Sequence, residues 1–133
     1  MAEKMRILFV DDEVAYLSTI IKRLKSRGYQ VHGAASGAEA LEYLHLHDVD
    51  VVVMDVKMPG MDGLSVLREM KRSWPLMEVI MLTGHASVES GIQGMEMGAF
   101  DYVMKPARLE ELLQKLQQAY ERRSLAIAQS VAL

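Results

Sequence analysis

Acidic, hydroxyl and amino side chains stand where the apolar runs of this sequence end. Asp11 and Asp12 come directly after the first apolar run, and Asp55 comes after the third. Thr83 and Lys105 follow the fourth and fifth runs. Because open parallel sheets bind their ligands at the carboxyl ends of the strands, we expect these five side chains to meet at one edge. The sequence therefore predicts an acidic site with one hydroxyl group and one ammonium group.

Such an acidic site favours a cation. Carboxylates held close together raise one another's pKa unless a cation neutralises them. Mg²⁺ suits the pattern, because it prefers a few carboxylates, retained water and a phosphate oxygen. The residues after the first run are Asp11, Asp12 and Glu13 rather than a glycine-rich phosphate loop, so no resident nucleotide or flavin is expected. The pattern predicts a metal site that then accepts a phosphoryl group.

The elements that position these residues alternate regularly along the chain. Apolar runs of strand length are followed by segments of helical periodicity, and a turn-rich loop is predicted over residues 58–63. The run Val51–Val52–Val53–Met54 is typical of a strand buried on both faces. Five strand–helix units with right-handed crossovers predict an α/β domain with three layers, doubly wound around a parallel (βα)5 sheet. The predicted strands cover residues 6–10, 29–34, 51–54, 79–82 and 102–104.

Composition excludes several classes of protein. The 133 residues and 50% hydrophobic content suit one globular domain, and the absence of cysteine excludes disulfides and thiolate sites. A net charge of −3 argues against a domain that coats nucleic acid. The apolar runs are far shorter than the roughly 20 residues that cross a bilayer. We expect a cytoplasmic domain without membrane contact or direct nucleic-acid binding.

Four blocks of sequence carry a family resemblance. Taken in order, they resemble the receiver domain of two-component response regulators of bacteria, over residues 6 to about 120. The resemblance implies a flavodoxin-like fold with strand order 2-1-3-4-5. The blocks are VDDE at 10–13, MDVKMPGMDG at 54–63, LTGH at 82–85 and GAFDYVMKP at 98–106.

The resemblance implies a role for each acid. Asp55 would be the phosphoacceptor, attacking the phosphohistidine of a sensor histidine kinase or of a histidine phosphotransfer protein. Mg²⁺ or Mn²⁺ would be held directly by Asp12, Asp55 and the backbone carbonyl of Lys57. Asp11 would act on the metal through water. The chain would be a signalling switch that catalyses only its own phosphorylation and dephosphorylation, not an enzyme acting on other substrates.

The resemblance also implies roles for the remaining blocks. Lys105 would pair with the phosphoryl oxygens, and the Thr83 hydroxyl would hydrogen-bond one of them. Tyr102 occupies the switch-aromatic position and would rotate inward as Thr83 moves. The peptide between Lys105 and Pro106 would be cis.

Two residues beside the site would tune how long the phosphoryl group survives. Lys57 and His85 stand two positions after the nucleophile and after Thr83, where family members carry side chains that flank the hydrolytic water. We hypothesise that both side chains crowd the water and slow hydrolysis. The alternative is that both simply point into solvent.

Each site residue has an ordinary structural alternative. Asp11 and Asp12 could cap a helix, Asp55 and Thr83 could be turn or capping residues, and Lys105 could be a solvated lysine. The arrangement of all five together favours the site. Helix four contains Gly91 and Gly94, which predict either an unstable, movable helix or close helix–sheet packing.

Other functions remain open at this point. A Mg²⁺-dependent phosphatase or phosphotransferase working through an aspartyl phosphate is the alternative, although its haloacid-dehalogenase pattern would place the nucleophile after strand one. A phosphorylation-independent binding module is a third possibility. We assign residues 1–123 to the receiver domain and residues 124–133 to a helix end or the start of a linker. The effector is unknown, and a homodimer through the fourth helix, fifth strand and fifth helix is a further expectation.

Overall fold

A computed structural model of the chain describes residues 5–58, 61–84 and 88–132. Helices and strands alternate as the sequence predicts, with one small hairpin in addition. In chain order the elements are β1 (Arg6–Val10), α1 (Val14–Ser26), β2 (Gln30–Ala34), α2 (Gly37–Leu46), β3 (Val51–Asp55), β4 (Lys57–Met58), β5 (Met61–Asp62), α3 (Gly63–Ser73), β6 (Glu78–Thr83), α4 (Val88–Glu96), β7 (Asp101–Met104) and α5 (Leu109–Ala132).

The five long strands form one parallel sheet in the order β2-β1-β3-β6-β7. Counting only these five strands, this is the expected order 2-1-3-4-5, so the predicted flavodoxin-like fold is confirmed. Neighbouring strands pair in register, with Met54 of β3 opposite both Val10 of β1 and Met81 of β6. The carboxyl ends of β1, β3 and β6 therefore lie side by side.

Helices cover both faces of the sheet, which makes the three predicted layers. Alternate residues of β1 supply the two cores, with Ile7 and Phe9 on one face and Leu8 and Val10 on the other. The first core contains buried residues of α1 and α5, and the second contains buried residues of α2 and α3. Strands β3 and β6 are buried along their whole length, as expected for central parallel strands.

Several local features differ from the sequence prediction, including ends of β2, β3 and β7 that shift by one residue. Part of the predicted loop at 58–63 is a short antiparallel hairpin in which Lys57 of β4 pairs with Asp62 of β5. Strand β6 begins at Glu78 rather than Val79, because the Glu78 amide donates to the Asp50 carbonyl at 3.2 Å. Helix α5 runs for 24 residues, so the chain from 124 to 132 continues as helix. Within the described part of the chain, none of the helices has the length and apolarity to span a membrane.

Candidate functional site

Three aspartates converge at the carboxyl edge of the sheet. Asp55 ends β3, and Asp11 follows β1, where its amide donates to the Ala34 carbonyl at 3.0 Å and extends the pairing with β2. One carboxylate oxygen each from Asp11, Asp12 and Asp55 lies within 4.8 Å of the others. Asp11 and Asp55 are buried, and Asp12 is half-buried. The strand ends therefore bring together the acids that the sequence singled out.

Backbone amides hold two of these carboxylates in place. Asp11 Oδ1 accepts the Glu13 amide at 2.9 Å, and Asp55 Oδ1 accepts the Lys57 amide at 3.1 Å. Burial raises the pKa of the Asp11 carboxyl, although the nearby Lys105 ammonium opposes that rise. Each carboxylate thus has one oxygen fixed by the loop that follows its strand.

The Lys105 ammonium lies among the carboxylates. Its Nζ is 2.8 Å from Asp11 Oδ2 and 3.2 Å from Asp55 Oδ2, and it also pairs with Glu13 Oε1. Although burial lowers the pKa of Lys105, the contacts with Asp11, Glu13 and Asp55 raise it overall. The lysine therefore stays charged and supplies a cation to the acidic cluster.

Thr83 and Tyr102 lie on neighbouring strands next to this cluster. Thr83 is fully buried, and its hydroxyl donates to Met104 Sδ at 3.4 Å. The Thr83 carbonyl accepts the Lys105 amide at 2.7 Å, which ties the end of β6 to the residue that carries the ammonium. Tyr102 is half-buried and packs against the core shared with α2 and α3.

The loop after β3 depends on a glycine. A Cβ at Gly63 would lie 2.4 Å from the Val56 carbonyl oxygen and 2.8 Å from that of Asp55. The Gly63 amide also donates to the Val56 carbonyl at 3.0 Å. Since backbone atoms cannot move aside as a flexible side chain can, α3 begins this close to the loop of Asp55 only with glycine at its first position.

Two other expectations concern the loops around the cluster. The Lys105–Pro106 peptide is cis, as the resemblance implies. The Lys57 side chain is exposed, while its amide is the group that contacts Asp55. His85, the second residue expected to tune hydrolysis, lies outside the described residues.

Sequence reasoning missed three contacts of the site. Glu13 had no assigned role, yet it pairs with Lys105 across 92 positions of sequence. Tyr16 lies under the Lys105 ammonium, with 4.8 Å between Nζ and the ring centroid. The sulfur of Met104 accepts a hydrogen bond from the Thr83 hydroxyl. Glu13 is the third of three consecutive acids at 11–13, and this pattern is a reason to add it to the predicted site. No local pattern marks Tyr16 or Met104.

The donor set fits a hard divalent cation. The carboxylates of Asp11, Glu13 and Asp55 pair with the Lys105 ammonium, and an oxygen of Asp12 lies within 4.8 Å of oxygens of Asp11 and Asp55. Asp11 Oδ2 is buried, and its partner among the described residues is the Lys105 ammonium at 2.8 Å. One ammonium does not neutralise several carboxylates, so a further cation would lower the cost of holding these acids close together. Carboxylate oxygens are also the ligands that Mg²⁺ prefers.

The fold and the site together define a class of protein. A doubly wound five-stranded sheet with acids, a threonine and a lysine at its strand ends is the arrangement that the receiver resemblance implied. The response regulator receiver domain family matches residues 7–117. The chain belongs to this family, whose members are phosphorylation-controlled switches of two-component signalling.

Individual relatives and solved structures agree with this membership. The chain is 38% identical over 120 residues to the response regulator MprA of Mycobacterium sp. (strain KMS), covering 90% of this chain and 52% of the relative. It is also 38% identical over 120 residues to the regulatory protein AtoC of Escherichia coli (strain K12), covering 90% of this chain and 26% of the relative.

Among solved structures, a response regulator receiver domain protein from Clostridium thermocellum is 37% identical, with a TM-score of 0.87 over 92% of this chain and 98% of that one. The chain thus matches an isolated receiver along nearly its whole length. In contrast, the chain spans about half the length (52%) of the MprA relative and about a quarter (26%) of the length of AtoC.

Proposed function

We propose that this domain accepts a phosphoryl group on Asp55, in a reaction that needs Mg²⁺ or Mn²⁺, and transmits the resulting change to an effector. The observation that carries the proposal is the position of Asp55. Its Oδ2 lies 3.2 Å from Lys105 Nζ, and a carboxylate oxygen of Asp55 lies within 4.8 Å of one from Asp11 and one from Asp12. A carboxylate nucleophile, further acids and an ammonium at one edge are what phosphoryl transfer to aspartate requires.

The transfer is a displacement at phosphorus. A carboxylate oxygen of Asp55 forms the new oxygen–phosphorus bond while the nitrogen–phosphorus bond to the donor histidine breaks, and the electron pair leaves with the imidazole. When bound, the metal would neutralise charge on the phosphoryl oxygens, held by Asp12, Asp55 and the Lys57 backbone carbonyl, with Asp11 acting through water. The donor would be a sensor histidine kinase or a histidine phosphotransfer protein.

Lys105 and Thr83 would respond to the new phosphoryl group. The Lys105 ammonium already contacts Asp55, so it can shift from carboxylate oxygens to phosphoryl oxygens with little movement. The Thr83 hydroxyl now donates to the sulfur of Met104, which is a weak acceptor. Replacing the Met104 sulfur by a charged phosphoryl oxygen as the acceptor of this hydrogen bond would therefore be favourable. We propose that the half-buried Tyr102 turns inward as Thr83 moves.

The lifetime of the aspartyl phosphate would depend on residues beside the site. The exposed Lys57 side chain stands two residues after the nucleophile, and His85 stands two residues after Thr83. We keep the hypothesis that both crowd the hydrolytic water. If it holds, the Lys57→Ala, His85→Ala double variant loses its phosphoryl group faster than wild type, and an equal or slower loss contradicts it.

The wider role of the protein is also a proposal. We assign residues 1–123 to the receiver domain, which would act as a switch and turn over no external substrate. Its expected output face is α4, β7 and α5, where an effector or a second copy would bind. We expect no direct contact with nucleic acid or membrane, and a cytoplasmic location.

The proposed function is tested by intact mass spectrometry after incubation with acetyl phosphate and Mg²⁺. Wild type should gain one phosphoryl group, and chelation of the metal with EDTA should prevent the gain. Asp55→Asn should gain none. The matched control is Asp48→Asn, which changes an exposed acid at the opposite end of β3 and should be phosphorylated like wild type. A folded wild-type protein that binds Mg²⁺ but gains no phosphoryl group from any donor would contradict the proposal.

A further inference from the structure

Tyr16 of α1 is half-buried beside the phosphoryl site, and the proposed mechanism does not use it. Its ring packs against the buried Phe9 of β1, with 6.3 Å between centroids and an angle of 56° between the planes. It belongs to the partly buried residues around the core that α1 and α5 share. Contact with Phe9 fixes the ring at the carboxyl end of β1, where the acidic cluster begins.

The face of this ring supports the lysine of the site. Lys105 Nζ lies 4.8 Å from the Tyr16 ring centroid, within the range of a cation–π interaction. The ammonium is therefore bounded on one side by an aromatic face and on the others by Asp11, Glu13 and Asp55. A flexible lysine side chain has many rotamers, so a surface that limits them helps to hold Nζ near Asp55.

The hydroxyl of the same tyrosine holds the backbone that carries the lysine. The loop from Lys105 to Ala107 has two backbone N–H groups, because Pro106 has none. The Lys105 amide donates to the Thr83 carbonyl at 2.7 Å, and the Ala107 amide donates to the Tyr16 hydroxyl oxygen at 3.2 Å. Burial raises the pKa of the Tyr16 hydroxyl, so this acceptor stays neutral under ordinary conditions. Tyr16 thus contacts both the head group and the backbone of the Lys105 segment.

We propose that Tyr16 is a positioning residue for phosphoryl transfer, which places the Lys105 ammonium between the acids through its ring and fixes the loop of Lys105 through its hydroxyl. This inference rests on the proposed function, because the purpose of the placement is to present Nζ to the phosphoryl oxygens. A purely structural Tyr16 would instead contribute only packing to the core.

The test compares two substitutions with a matched control. Tyr16→Phe removes only the hydroxyl, and Tyr16→Leu removes the ring as well. Tyr29→Leu is the control, because Tyr29 is another half-buried tyrosine around the same core but stands before β2, at the opposite edge of the sheet. With acetyl phosphate and saturating Mg²⁺, we expect Tyr16→Leu to slow phosphorylation about tenfold, Tyr16→Phe by about threefold or less, and Tyr29→Leu not at all.

Coupling to the lysine separates positioning from packing. In a Lys105→Met background, Tyr16→Leu should slow the remaining phosphorylation no further, since the group on which it acts is gone. If Tyr16→Leu slows the reaction equally with and without Lys105, or if Tyr29→Leu slows it as much, the proposal is wrong.

Nuclear magnetic resonance of the unphosphorylated protein gives a readout that does not depend on phosphorylation. The ε-methylene protons of Lys105 should show an upfield ring-current shift in wild type and Tyr16→Phe, and should lose it in Tyr16→Leu. The Ala107 amide should exchange faster in Tyr16→Phe, a variant that keeps the ring and the packing. Unshifted lysine protons or an unchanged Ala107 amide would overturn the placement. If wild type gains no phosphoryl group while these signals behave as expected, the proposed function fails and the placement of Lys105 by Tyr16 stands.

Discussion

At the scale of single residues, the site is a balance between carboxylates and one ammonium. Lys105 contacts Asp11, Glu13 and Asp55 at once. A metal ion bound at this edge would use some of the same carboxylates as ligands. The ammonium and a metal ion repel each other, and they share the same acids. Under the proposed function, Lys105 would therefore oppose metal binding while it assists phosphoryl transfer.

This competition predicts the effect of removing the lysine charge. Lys105→Met should bind Mg²⁺ about tenfold more tightly than wild type, because a positive charge within a few ångströms of the ion is lost. Isothermal titration calorimetry measures the affinity directly. Lys22→Met changes the net charge of the protein equally at an exposed position of α1 and should leave the affinity unchanged. Unchanged or weaker Mg²⁺ binding by Lys105→Met would contradict the competition.

The principal site residues could be predicted because their positions follow from the sheet. Asp11, Asp55 and Thr83 each end or follow a buried apolar run, and parallel strands present those ends at one edge. The pairing of Glu13 with Lys105 and the position of Tyr16 depend on how α1 lies against the loop after β7. No local pattern encodes that tertiary arrangement, so sequence reasoning did not find it.

At the scale of elements, two consecutive arginines of α5 form ion pairs at the edge of the sheet opposite the acidic cluster. Arg123 donates to Asp50 at 3.0 Å, and Arg122 donates to Glu78 at 2.7 Å. Both acids are buried, at 3% and 4% exposure, just before β3 and at the start of β6. Asp50 also accepts three bonds from Arg6, through its amide and its guanidinium group. These ion pairs fix the helix at the edge of the sheet far from the acidic cluster.

The Asp50 ion pairs predict a pH dependence of stability. Burial alone would raise the pKa of Asp50, but its hydrogen bonds with Arg6 and Arg123 lower the pKa below the usual 3.8. An acid with a lowered pKa stabilises the folded state above its unfolded pKa, and the stability is lost as pH falls through the folded value. Acid denaturation followed by circular dichroism should therefore begin at a higher pH in Arg123→Gln than in wild type.

A matched variant and a second measurement complete this prediction. At pH 7, Arg123→Gln should lower the free energy of unfolding by about 2 kcal/mol, because it leaves a buried carboxylate with one guanidinium partner fewer. Arg108→Gln removes the same charge at an exposed position just before α5 and should change stability by no more than about 0.5 kcal/mol. Equal acid stability of the two variants would show that the pair of Arg123 with Asp50 contributes nothing.

The start of α3 makes a steric prediction. Gly63→Ala should lower the free energy of unfolding by about 2–3 kcal/mol, because its Cβ would overlap backbone oxygens at 2.4 and 2.8 Å. Urea denaturation measures the loss. Gly84→Ala is the control, since a Cβ there would meet no atom of the described residues within 4 Å and the loss should stay below about 0.5 kcal/mol. Equal stability of the two variants would mean that α3 can move away from the loop of Asp55 without cost.

Element boundaries were predictable where a local signal marks them. Gly28 follows α1 with a φ of +89°, in the left-handed region that glycine tolerates, and a glycine after a helical pattern is an ordinary signal of a helix end. The sequence predicts a loop in place of the β4–β5 hairpin, because strands of only two residues leave no periodic pattern.

Gly94 supports the packing explanation for helix four, since a Cβ there would lie 3.2 Å from Met81 Cγ. The proposed mobility of α4 stays a prediction.

At the scale of the whole molecule, the two edges of the sheet at which the strands begin and end carry different sets of charged residues. The carboxyl edge gathers several acids around Lys105, an arrangement that would suit the proposed binding and release of a metal and a phosphoryl group. The opposite edge holds the buried Asp50, which pairs with Arg6 and with Arg123 of α5 and so keeps that helix in place. Stability that functional sites lose is commonly offset elsewhere in the same fold.

The overall fold was predictable because strand and helix periods alternate without interruption and buried parallel strands have a distinctive composition. The order of the strands came from the family resemblance, since periodicity alone does not specify which strands are neighbours. The course of the chain after residue 123 could not be predicted, because residues 124–133 carry no charge and fit either a helix or a linker. The structure continues α5 through them to Ala132.

The central claim is that Asp55, among the clustered acids, carries the phosphoryl group. The most direct measurement treats the protein with acetyl phosphate and Mg²⁺, reduces the acyl phosphate with borohydride, and locates the reduced residue by peptide mass spectrometry. The account predicts that Asp55 alone is reduced and that omission of Mg²⁺ abolishes the signal. Reduction at Asp11, Asp12 or Glu13 in place of Asp55 would contradict it.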